Sequence, residues 1–328
     1  DEMNLRIKAG VDRFHDVRTM PHEDVVLLAR SVELDIAVDL GGFTEFNRTQ
    51  IFAMSAAPIQ IGYIGYLGTM GVNYYDYLVA DQTIIPEKNQ KYYSEKVVYM
   101  PNSYQVNDST QSHPETIFTR QDVGLPEAGF VFCCFNNNFK ITPSTFDSWA
   151  RILEQVEGSV LLIYVDNESA KTNLKKEIVL RGIDSNRLIF GENLPLPEYL
   201  ARYRVADLFL DTHPYNAGTT ASDALRMGLP VLTCIGSSFA SRMAASLLNA
   251  VNLPELITTS QDQYESLAIQ LATNPEKLKI IKDKLANNLP TAPLYDTSLF
   301  ARHLESAYLK MYDRCRHGLE PEHIYVEH

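Results

Sequence analysis

Short apolar runs alternate with amphipathic stretches along the second part of the chain. The apolar runs predict strands at residues 130–135, 160–165, 187–190, 208–210 and 230–234. The amphipathic stretches predict helices at residues 143–157, 168–181, 196–206, 219–227 and 238–248. Strands that are apolar throughout are typical of a parallel sheet that is buried on both faces. The alternation therefore predicts a doubly wound α/β fold, in which ligands bind at the carboxyl ends of the strands.

The first part of the chain carries a shorter version of the same pattern. Helices are predicted at residues 23–29 and 47–56, and strands at residues 34–40, 59–64 and 77–80. Between residues 102 and 127 the composition becomes polar, which is typical of a connection between domains. We therefore expect a first lobe over residues 1–115 and a second lobe over residues 116–328. The second lobe would end with an amphipathic helix at residues 297–311.

Charge, hydropathy and cysteine content limit the classes of partner and the cellular location that we expect. The chain has 29 Lys and Arg against 41 Asp and Glu, a net charge of −12, so it lacks the basic surface that nucleic acids require. No apolar run approaches the length of a membrane span, and the first residues do not resemble a signal peptide. The four cysteines form no CxxC pair, which is typical of reduced, buried thiols. We expect a cytoplasmic protein without a membrane span.

Two segments combine a strand end with polar residues at the start of a helix. Lys140 lies between the strand at 130–135 and the helix that begins near Pro143, where an ammonium group could neutralise a departing diphosphate. Thr219 and Thr220 open the helix that follows the strand at 208–210, and Asp223 lies one turn further. Helix amides and hydroxyls of that kind bind phosphate, and the acid could accept hydrogen bonds from a ribose. The alternatives are a solvated loop lysine and simple helix capping.

A third segment is rich in glycine, and metal motifs are absent from the sequence. Residues 62–71 contain four glycines after a predicted strand, which allows close approach of a ligand but equally indicates a structural turn. The sequence has neither HExxH nor a clustered Cys and His set. We therefore expect no metal ion and no cofactor.

The order and the amino-acid residues of several segments resemble those of the catalytic region of the protein O-GlcNAc transferase family, glycosyltransferase family 41. The likeness runs from about residue 5 to residue 312. Its segments are Asp39-Leu40-Gly41-Gly42-Phe43-Thr44, Ala57-Pro58-Ile59-Gln60, Gly65-Tyr66-Leu67-Gly68-Thr69, Tyr93-Ser94-Glu95-Lys96, Phe135-Asn136 with Lys140, Ala206-Asp207 with Leu210-Asp211-Thr212, Thr219-Thr220 with Asp223, and Ala240-Ser241-Arg242 with Ala244-Ala245-Ser246.

This resemblance implies a GT-B fold of two Rossmann-like lobes with a sugar nucleotide in the cleft, bound mostly by the second lobe. It further implies metal-independent inversion at the anomeric carbon, with a sugar passing from UDP-GlcNAc to a Ser or Thr hydroxyl of a protein. By position, Lys140 matches the lysine that stabilises the diphosphate, and Asn137 matches its polar neighbour. The other positions that match nucleotide-sugar contacts are Arg202, Gly218, Thr219, Thr220, Asp223, Ile64 and Gly65.

Two departures from the family pattern leave alternatives open. By this resemblance the chain is expected to begin partway through the first lobe, without the TPR repeats that normally precede that lobe in the family. The alternatives are a fragment of a longer protein that carries such repeats upstream and a degenerate relative. Gly218 stands where many O-GlcNAc transferases carry His, although Gly there also occurs in plant O-fucosyltransferase relatives and in bacterial members. The alternatives are a transferase that uses GDP-fucose or UDP-glucose, or another acceptor, and a non-catalytic module that binds a nucleotide sugar. The acceptor protein, the catalytic base and the oligomeric state stay open.

Overall fold

The structure is a computed structural model that describes residues 2–111 and 114–327. It divides into two compact units, each assembled from stretches that are not continuous in sequence. Unit 1 comprises Asp1–Val79, Tyr92–Val97 and Tyr308–His323. Unit 2 comprises Ala80–Lys91, Val98–Ala307 and Ile324–His328. The predicted division between residues 115 and 116 is a single cut along the chain and stays a prediction.

The first sheet has five strands in the order β1-β2-β3-β4-β11. They are β1 (Ile36–Asp39), β2 (Ile59–Gly62), β3 (Tyr77–Ala80), β4 (Lys96–Tyr99) and β11 (Ile324–Tyr325). The pairs β1–β2, β2–β3 and β4–β11 are parallel. The predicted strands at 34–40, 59–64 and 77–80 are confirmed as β1, β2 and β3, whereas β4 and β11 were not predicted.

Three helices belong to the first part of the chain. They are α1 (Glu2–Ala9), α2 (His22–Ser31) and α3 (Gln50–Ala53). The predicted helix at 23–29 is confirmed as α2, but the one at 47–56 is wrong in length because α3 has only four residues. Phe46 and Ser55 on either side of α3 have φ values of 59° and 57°, and this left-handed backbone cannot continue a helix.

The second sheet has six strands in the order β10-β9-β8-β5-β6-β7. They are β5 (Val131–Cys134), β6 (Val160–Tyr164), β7 (Leu188–Gly191), β8 (Leu208–Leu210), β9 (Val231–Cys234) and β10 (Ile257–Thr258). Every pair is parallel. The predicted strands of this half are confirmed to within a residue or two, because each is a short apolar run, and all but the edge strand β7 are almost wholly buried.

Within residues 114–327 of the described chain, eight α-helices follow. They are α4 (Pro143–Gln155), α5 (Glu168–Leu180), α6 (Leu196–Arg202), α7 (Thr219–Arg226), α8 (Met243–Ala250), α9 (Gln261–Thr273), α10 (Pro275–Asn288) and α11 (Thr297–Arg316). The predicted helices correspond to α4–α8 and α11, whereas α9 and α10 were not predicted. No helix in the described residues is both long enough and apolar enough to cross a membrane.

The strand order locates the place where a ligand is expected in unit 2. From β5 the chain proceeds outward through β6 and β7, and from β8 it proceeds in the opposite direction through β9 and β10. The neighbouring strands β5 and β8 therefore form the switch point of the sheet, and a crevice opens at their carboxyl ends. Lys140 follows β5 and Thr219 follows β8, so the two segments selected from the sequence both lead from this point.

Candidate functional site

Lys140 is held against the loop that follows β8. Its ammonium group donates a hydrogen bond of 3.0 Å to the backbone oxygen of Asn216 and lies 3.9 Å from the centre of the Tyr215 ring. Burial lowers the pKa of Lys140, and the negative charge of Asp211 opposes that shift. The side chain is half-buried, and its charge lies at the switch point of the sheet. Such a group is placed to neutralise an anion that binds there.

A buried network around Asp211 fixes the two loops of this site. Asp211 Oδ1 accepts hydrogen bonds from the side-chain amide of Asn136 at 3.1 Å and from the backbone amides of Thr212 at 2.8 Å and Ala217 at 2.7 Å. Its Oδ2 accepts from the Thr233 hydroxyl at 2.7 Å. Burial raises the pKa of Asp211 to about 6, although these hydrogen bonds and Lys140 favour the carboxylate. The network shapes the turn that presents the Asn216 carbonyl to Lys140.

The start of α7 presents backbone amides without internal partners. Gly218 is the N-cap residue and gives the helix no side-chain cap. The amides of Thr219 and Thr220 have no hydrogen-bond partner among the described residues. The Thr220 hydroxyl donates to Oδ1 of Asn136 and so connects α7 to the end of β5. The threonines do not cap the helix through their hydroxyls, and the free amides are suited to a phosphate.

Asp223 lies on the first turns of α7, next to two tyrosines of the preceding segment. Burial raises the pKa of Asp223 to about 6, while a hydrogen bond from the Tyr199 hydroxyl lowers it in part. Tyr199 and Tyr203 share a short hydrogen bond between their hydroxyls, and the Tyr203 hydroxyl lies 3.2 Å from the backbone oxygen of Thr220. This cluster holds the Asp223 carboxylate in a poorly hydrated position. A neutral side chain at this position would make the folded chain more stable.

We expect Asp223→Asn to stabilise the chain at pH 8 by about 1–2 kcal/mol while weakening its binding of UDP. The folded-state pKa of Asp223 is raised, so ionisation of this carboxyl lowers the free energy of unfolding at high pH. Below the unfolded-state pKa the carboxyl is protonated in both states, and this cost is absent. The stabilisation by Asp223→Asn should therefore decrease to zero as the pH is lowered from about 6 to about 4. Urea unfolding against pH measures the first effect, and calorimetric titration with UDP measures the second. Unchanged UDP affinity would mean that Asp223 is only a structural residue of α7.

Arg202 is a buried cation beside a cavity of about 350 Å³ in unit 2. Only 2% of the residue is exposed, and Nη1 donates 2.7 Å to the backbone oxygen of Glu192. Its guanidinium lies 4.2 Å from the centre of the Phe135 ring, and its Nε has no partner among the described residues. Burial lowers its pKa, and no carboxylate in the described part of the chain forms an ion pair with it. Together with Leu194 and Tyr199 it lines this cavity.

Asn137 and Gly218 lie in the segments that follow β5 and β8. Asn137 is exposed, and its side-chain oxygen accepts a hydrogen bond from the backbone amide of Phe139, which caps the short 3-10 turn Asn138–Lys140. At Gly218, a Cβ atom would lie 3.3 Å from the Tyr104 hydroxyl, so a larger residue would press on that side chain. The lysine, the threonine pair, the acid and the arginine thus lie in one unit on the elements that follow β5, β7 and β8.

Ile64 and Gly65 belong to unit 1 and lie directly after β2. Ile64 has a φ of 56°, and the amide of Gly65 donates a hydrogen bond of 2.7 Å to the backbone oxygen of Tyr63. A Cβ atom at Gly65 would lie only 1.9 Å from the backbone oxygen of Leu40. The glycine is therefore required by the close approach of two backbone segments, whatever its role toward a sugar.

Gly65→Ala is expected to destabilise the chain by at least about 2 kcal/mol, since the backbone of Leu40 must move to admit the methyl group. Gly68→Ala is the matched control, because a Cβ atom there would lie 3.7 Å from the nearest Tyr66 ring atom. Urea unfolding of both variants measures the difference. Equal stability of the two would show that the Gly65 turn relaxes without strain.

Sequence reasoning missed the residues that hold the site together. Asn136 and Asp211 stood in the segments that resembled the family, yet neither was assigned a role, and Tyr199 was not selected at all. Two of the bonds that Asn136 makes join positions that lie 75 or more residues apart, those to Asp211 and to Thr220. The available signal was a polar residue directly after a buried strand. Among the described residues, no group of three or more His, Cys, Asp or Glu side chains is arranged to hold a metal ion.

Comparison with known proteins gives consistent sequence matches. The sequence model of glycosyl transferase family 41 matches residues 3–118 and 112–304. The chain is 34% identical over 331 residues to the probable UDP-N-acetylglucosamine--peptide N-acetylglucosaminyltransferase SEC of Arabidopsis thaliana, covering 99% of this chain and 34% of the relative. It is 33% identical over 322 residues to the barley (Hordeum vulgare) protein of the same description named SPINDLY, covering 96% and 33%. The chain thus spans about a third of the length of these relatives.

Solved structures agree with the sequence matches. A mutant of the O-GlcNAc transferase of Thermobaculum terrenum superposes with a TM-score of 0.88 at 30% identity, covering 97% of this chain and 61% of that one. Sucrose-phosphate synthase from Thermosynechococcus elongatus shares the fold at 11% identity, with a TM-score of 0.61 and coverage of 92% and 82%. The α/β fold of GT-B type expected from the sequence is confirmed. The chain belongs to glycosyltransferase family 41, as its resemblance to O-GlcNAc transferases implied.

Proposed function

We propose that the chain is the catalytic region of a transferase that moves N-acetylglucosamine from UDP-GlcNAc to Ser or Thr hydroxyls of a protein. The observation that carries the proposal is the placement of Lys140 and the free amides of Thr219 and Thr220 at one switch point. A cation and a helix start that converge at the carboxyl ends of β5 and β8 are suited to a diphosphate. Family membership and the names of the relatives support the same donor and acceptor.

The reaction needs orientation of two substrates and stabilisation of a leaving group. The acceptor oxygen forms a bond to the anomeric carbon as the bond from that carbon to the diphosphate oxygen breaks, which inverts the configuration. The hydroxyl proton leaves to a base, and the electron pair of the broken bond departs on UDP. Lys140 and the start of α7 stabilise the charge that grows on the diphosphate. No metal ion is required in this scheme because these groups supply the positive potential.

The remaining predicted residues receive roles around this centre. The cavity lined by Arg202 and Tyr199 takes the base and ribose of the nucleotide, with Asp223 as acceptor for ribose hydroxyls. Asn137 and Gly218 border the diphosphate. Buried, partly hydrated polar groups of this kind discriminate between ligands that differ by a single hydrogen bond.

The partners and location of the full-length protein belong to the same proposal. We place the protein in the cytoplasm, in keeping with four free cysteines of which three are buried. The relatives extend well beyond the matched region, and we propose that TPR repeats upstream of this chain present the protein acceptor. Nucleic acid is not a partner, because the net charge of −12 opposes binding to a polyanion.

A donor panel tests the proposal. The chain is incubated with a Ser and Thr peptide library and UDP-GlcNAc, UDP-glucose or GDP-fucose, and the peptides are analysed by mass spectrometry. We expect modification by one N-acetylhexosamine with UDP-GlcNAc alone. Fucose transfer would assign the chain to the alternative donor GDP-fucose. Gly218 is compatible with that outcome because O-fucosyltransferase relatives also carry Gly at this position. Nucleotide binding without any transfer would favour a binding module.

A further inference from the structure

Unit 2 contains a second cavity that shares no residue with the nucleotide cavity. It has a volume of about 480 Å³ and lies where β3, β4 and β11 end. Its lining includes Gln82, Thr83, Tyr99, Asn102, Asn249 and Tyr325. The carboxyl ends of parallel strands are the usual place for ligands in α/β folds, and the volume lies in the range of small-molecule sites.

One wall of this cavity is aromatic. The rings of Tyr99 and Tyr325 stack with centroids 4.9 Å apart and an angle of 18° between their planes. Tyr325 is 44% exposed, although its hydroxyl lies within hydrogen-bond distance of Gln90 and Glu87. Because those bonds fix the hydroxyl, the ring offers a rigid flat apolar surface.

The other walls carry uncharged polar groups. The side chains of Gln82 and Asn102 have no hydrogen-bond partner among the described residues. The Asn249 side-chain nitrogen donates a hydrogen bond of 3.0 Å to the Thr83 hydroxyl, and its side-chain oxygen Oδ1 has no partner in the same described ranges. An amide presents a donor and an acceptor side by side, a pattern that suits neighbouring hydroxyl groups of a ligand.

The lining of the cavity presents no charged side chain that is free to interact with a ligand. The one acidic or basic side chain in its lining is Asp81, whose carboxyl oxygens accept hydrogen bonds from the Ser246 hydroxyl at 2.5 Å and from the amides of Tyr104 at 2.7 Å and Ile84 at 2.8 Å. Only 4% of Asp81 is exposed. A phosphate or carboxylate ligand would find no cation here, and an ammonium ligand would compete with bonds already made.

We propose that this cavity binds a neutral saccharide of one or two rings, with a ring face on Tyr325 and hydroxyls on the amides of Gln82, Asn102 and Asn249. Sugar rings combine an apolar face of C–H groups with a rim of hydroxyls, which matches one aromatic wall and several amides. This cavity shares no lining residue with the proposed nucleotide cavity, and its occupant is not a nucleotide sugar.

Saturation-transfer NMR with cellobiose and maltose tests the proposal on the full chain in the presence of saturating UDP, which fills the nucleotide cavity. We expect at least one disaccharide to bind, and Tyr325→Ala to weaken it by at least about tenfold. Tyr325→Phe keeps the ring and should retain binding. Asn102→Ala should also weaken binding, and since its side chain makes no hydrogen bond in the described structure, this variant should fold normally.

Asn186→Ala, which removes an exposed amide elsewhere in unit 2, is the control and should leave binding unchanged. The proposal is overturned if neither disaccharide binds the folded wild-type chain, or if binding survives both Tyr325→Ala and Asn102→Ala. Displacement of the sugar by UDP would equally contradict it, because the ligand would then occupy the nucleotide cavity. Loss of transferase activity alone would leave these binding results intact, so the two proposals fail independently.

Discussion

Lys140→Ala is expected to lower kcat by about 10³-fold with a much smaller loss of UDP affinity. The ammonium group bonds to the Asn216 carbonyl and is partly desolvated, so its charge acts strongly on a group that gains negative charge nearby. A ground-state diphosphate is also held by the α7 amides, whereas the additional charge of the departing UDP depends on the cation. Steady-state transfer from UDP-GlcNAc measures kcat, and calorimetric titration measures UDP affinity.

Lys176→Ala is the matched control for this variant. Lys176 is an exposed lysine on α5, and its removal changes the net charge equally without touching the crevice. Its kcat should equal that of the wild type. A Lys140→Ala variant that turns over at a near-normal rate would show that the leaving group is stabilised elsewhere.

Asp211→Ala is expected to lower the free energy of unfolding by about 3 kcal/mol and to abolish measurable transfer. The substitution leaves the buried amides of Thr212 and Ala217 and the side chains of Asn136 and Thr233 without their shared acceptor. Without that acceptor, the turn that carries Asn216 loses its position relative to Lys140. Urea unfolding at pH 8, where the carboxylate is ionised, measures the loss of stability.

Two further variants separate the structural and functional parts of this effect. Asp35→Ala removes an exposed carboxylate of unit 1 and should change stability by less than about 0.5 kcal/mol. Asp211→Asn keeps an acceptor oxygen and the side-chain volume, so it should fold more stably than Asp211→Ala and recover part of the activity. Wild-type transfer by a folded Asp211→Ala variant would contradict a positioning role for this network.

The second sheet could be predicted from the sequence because its strands are buried on both faces. An apolar run such as β5 or β6 needs no partner to be recognised, and both were located to within a residue or two. By contrast, β10 of the second sheet was not predicted, and it has only two residues. β11 likewise has two residues and pairs with β4 across more than 200 positions of the chain. Nothing local in so short a segment distinguishes a strand from a loop.

The sequence predicted where the site lies, but it did not predict the hydrogen bonds that hold the site together. Strand ends followed by helix starts led to Lys140 and Thr219, and the sheet order brings both to the switch point. The role of Asp211 depends on donors from two other loops, which only tertiary structure brings together. Gly65 was selected for its likeness to a sugar contact, whereas its steric requirement comes from the distant backbone of Leu40.

Calorimetric titration of the chain with UDP and GDP tests the central claim most directly, because it examines the unit that carries Lys140, Arg202 and the start of α7. The account predicts one UDP per chain, bound at least about tenfold more tightly than GDP and weakened by Asp223→Asn. A folded chain that binds neither nucleotide, or that binds UDP equally well after Asp223→Asn, would contradict it.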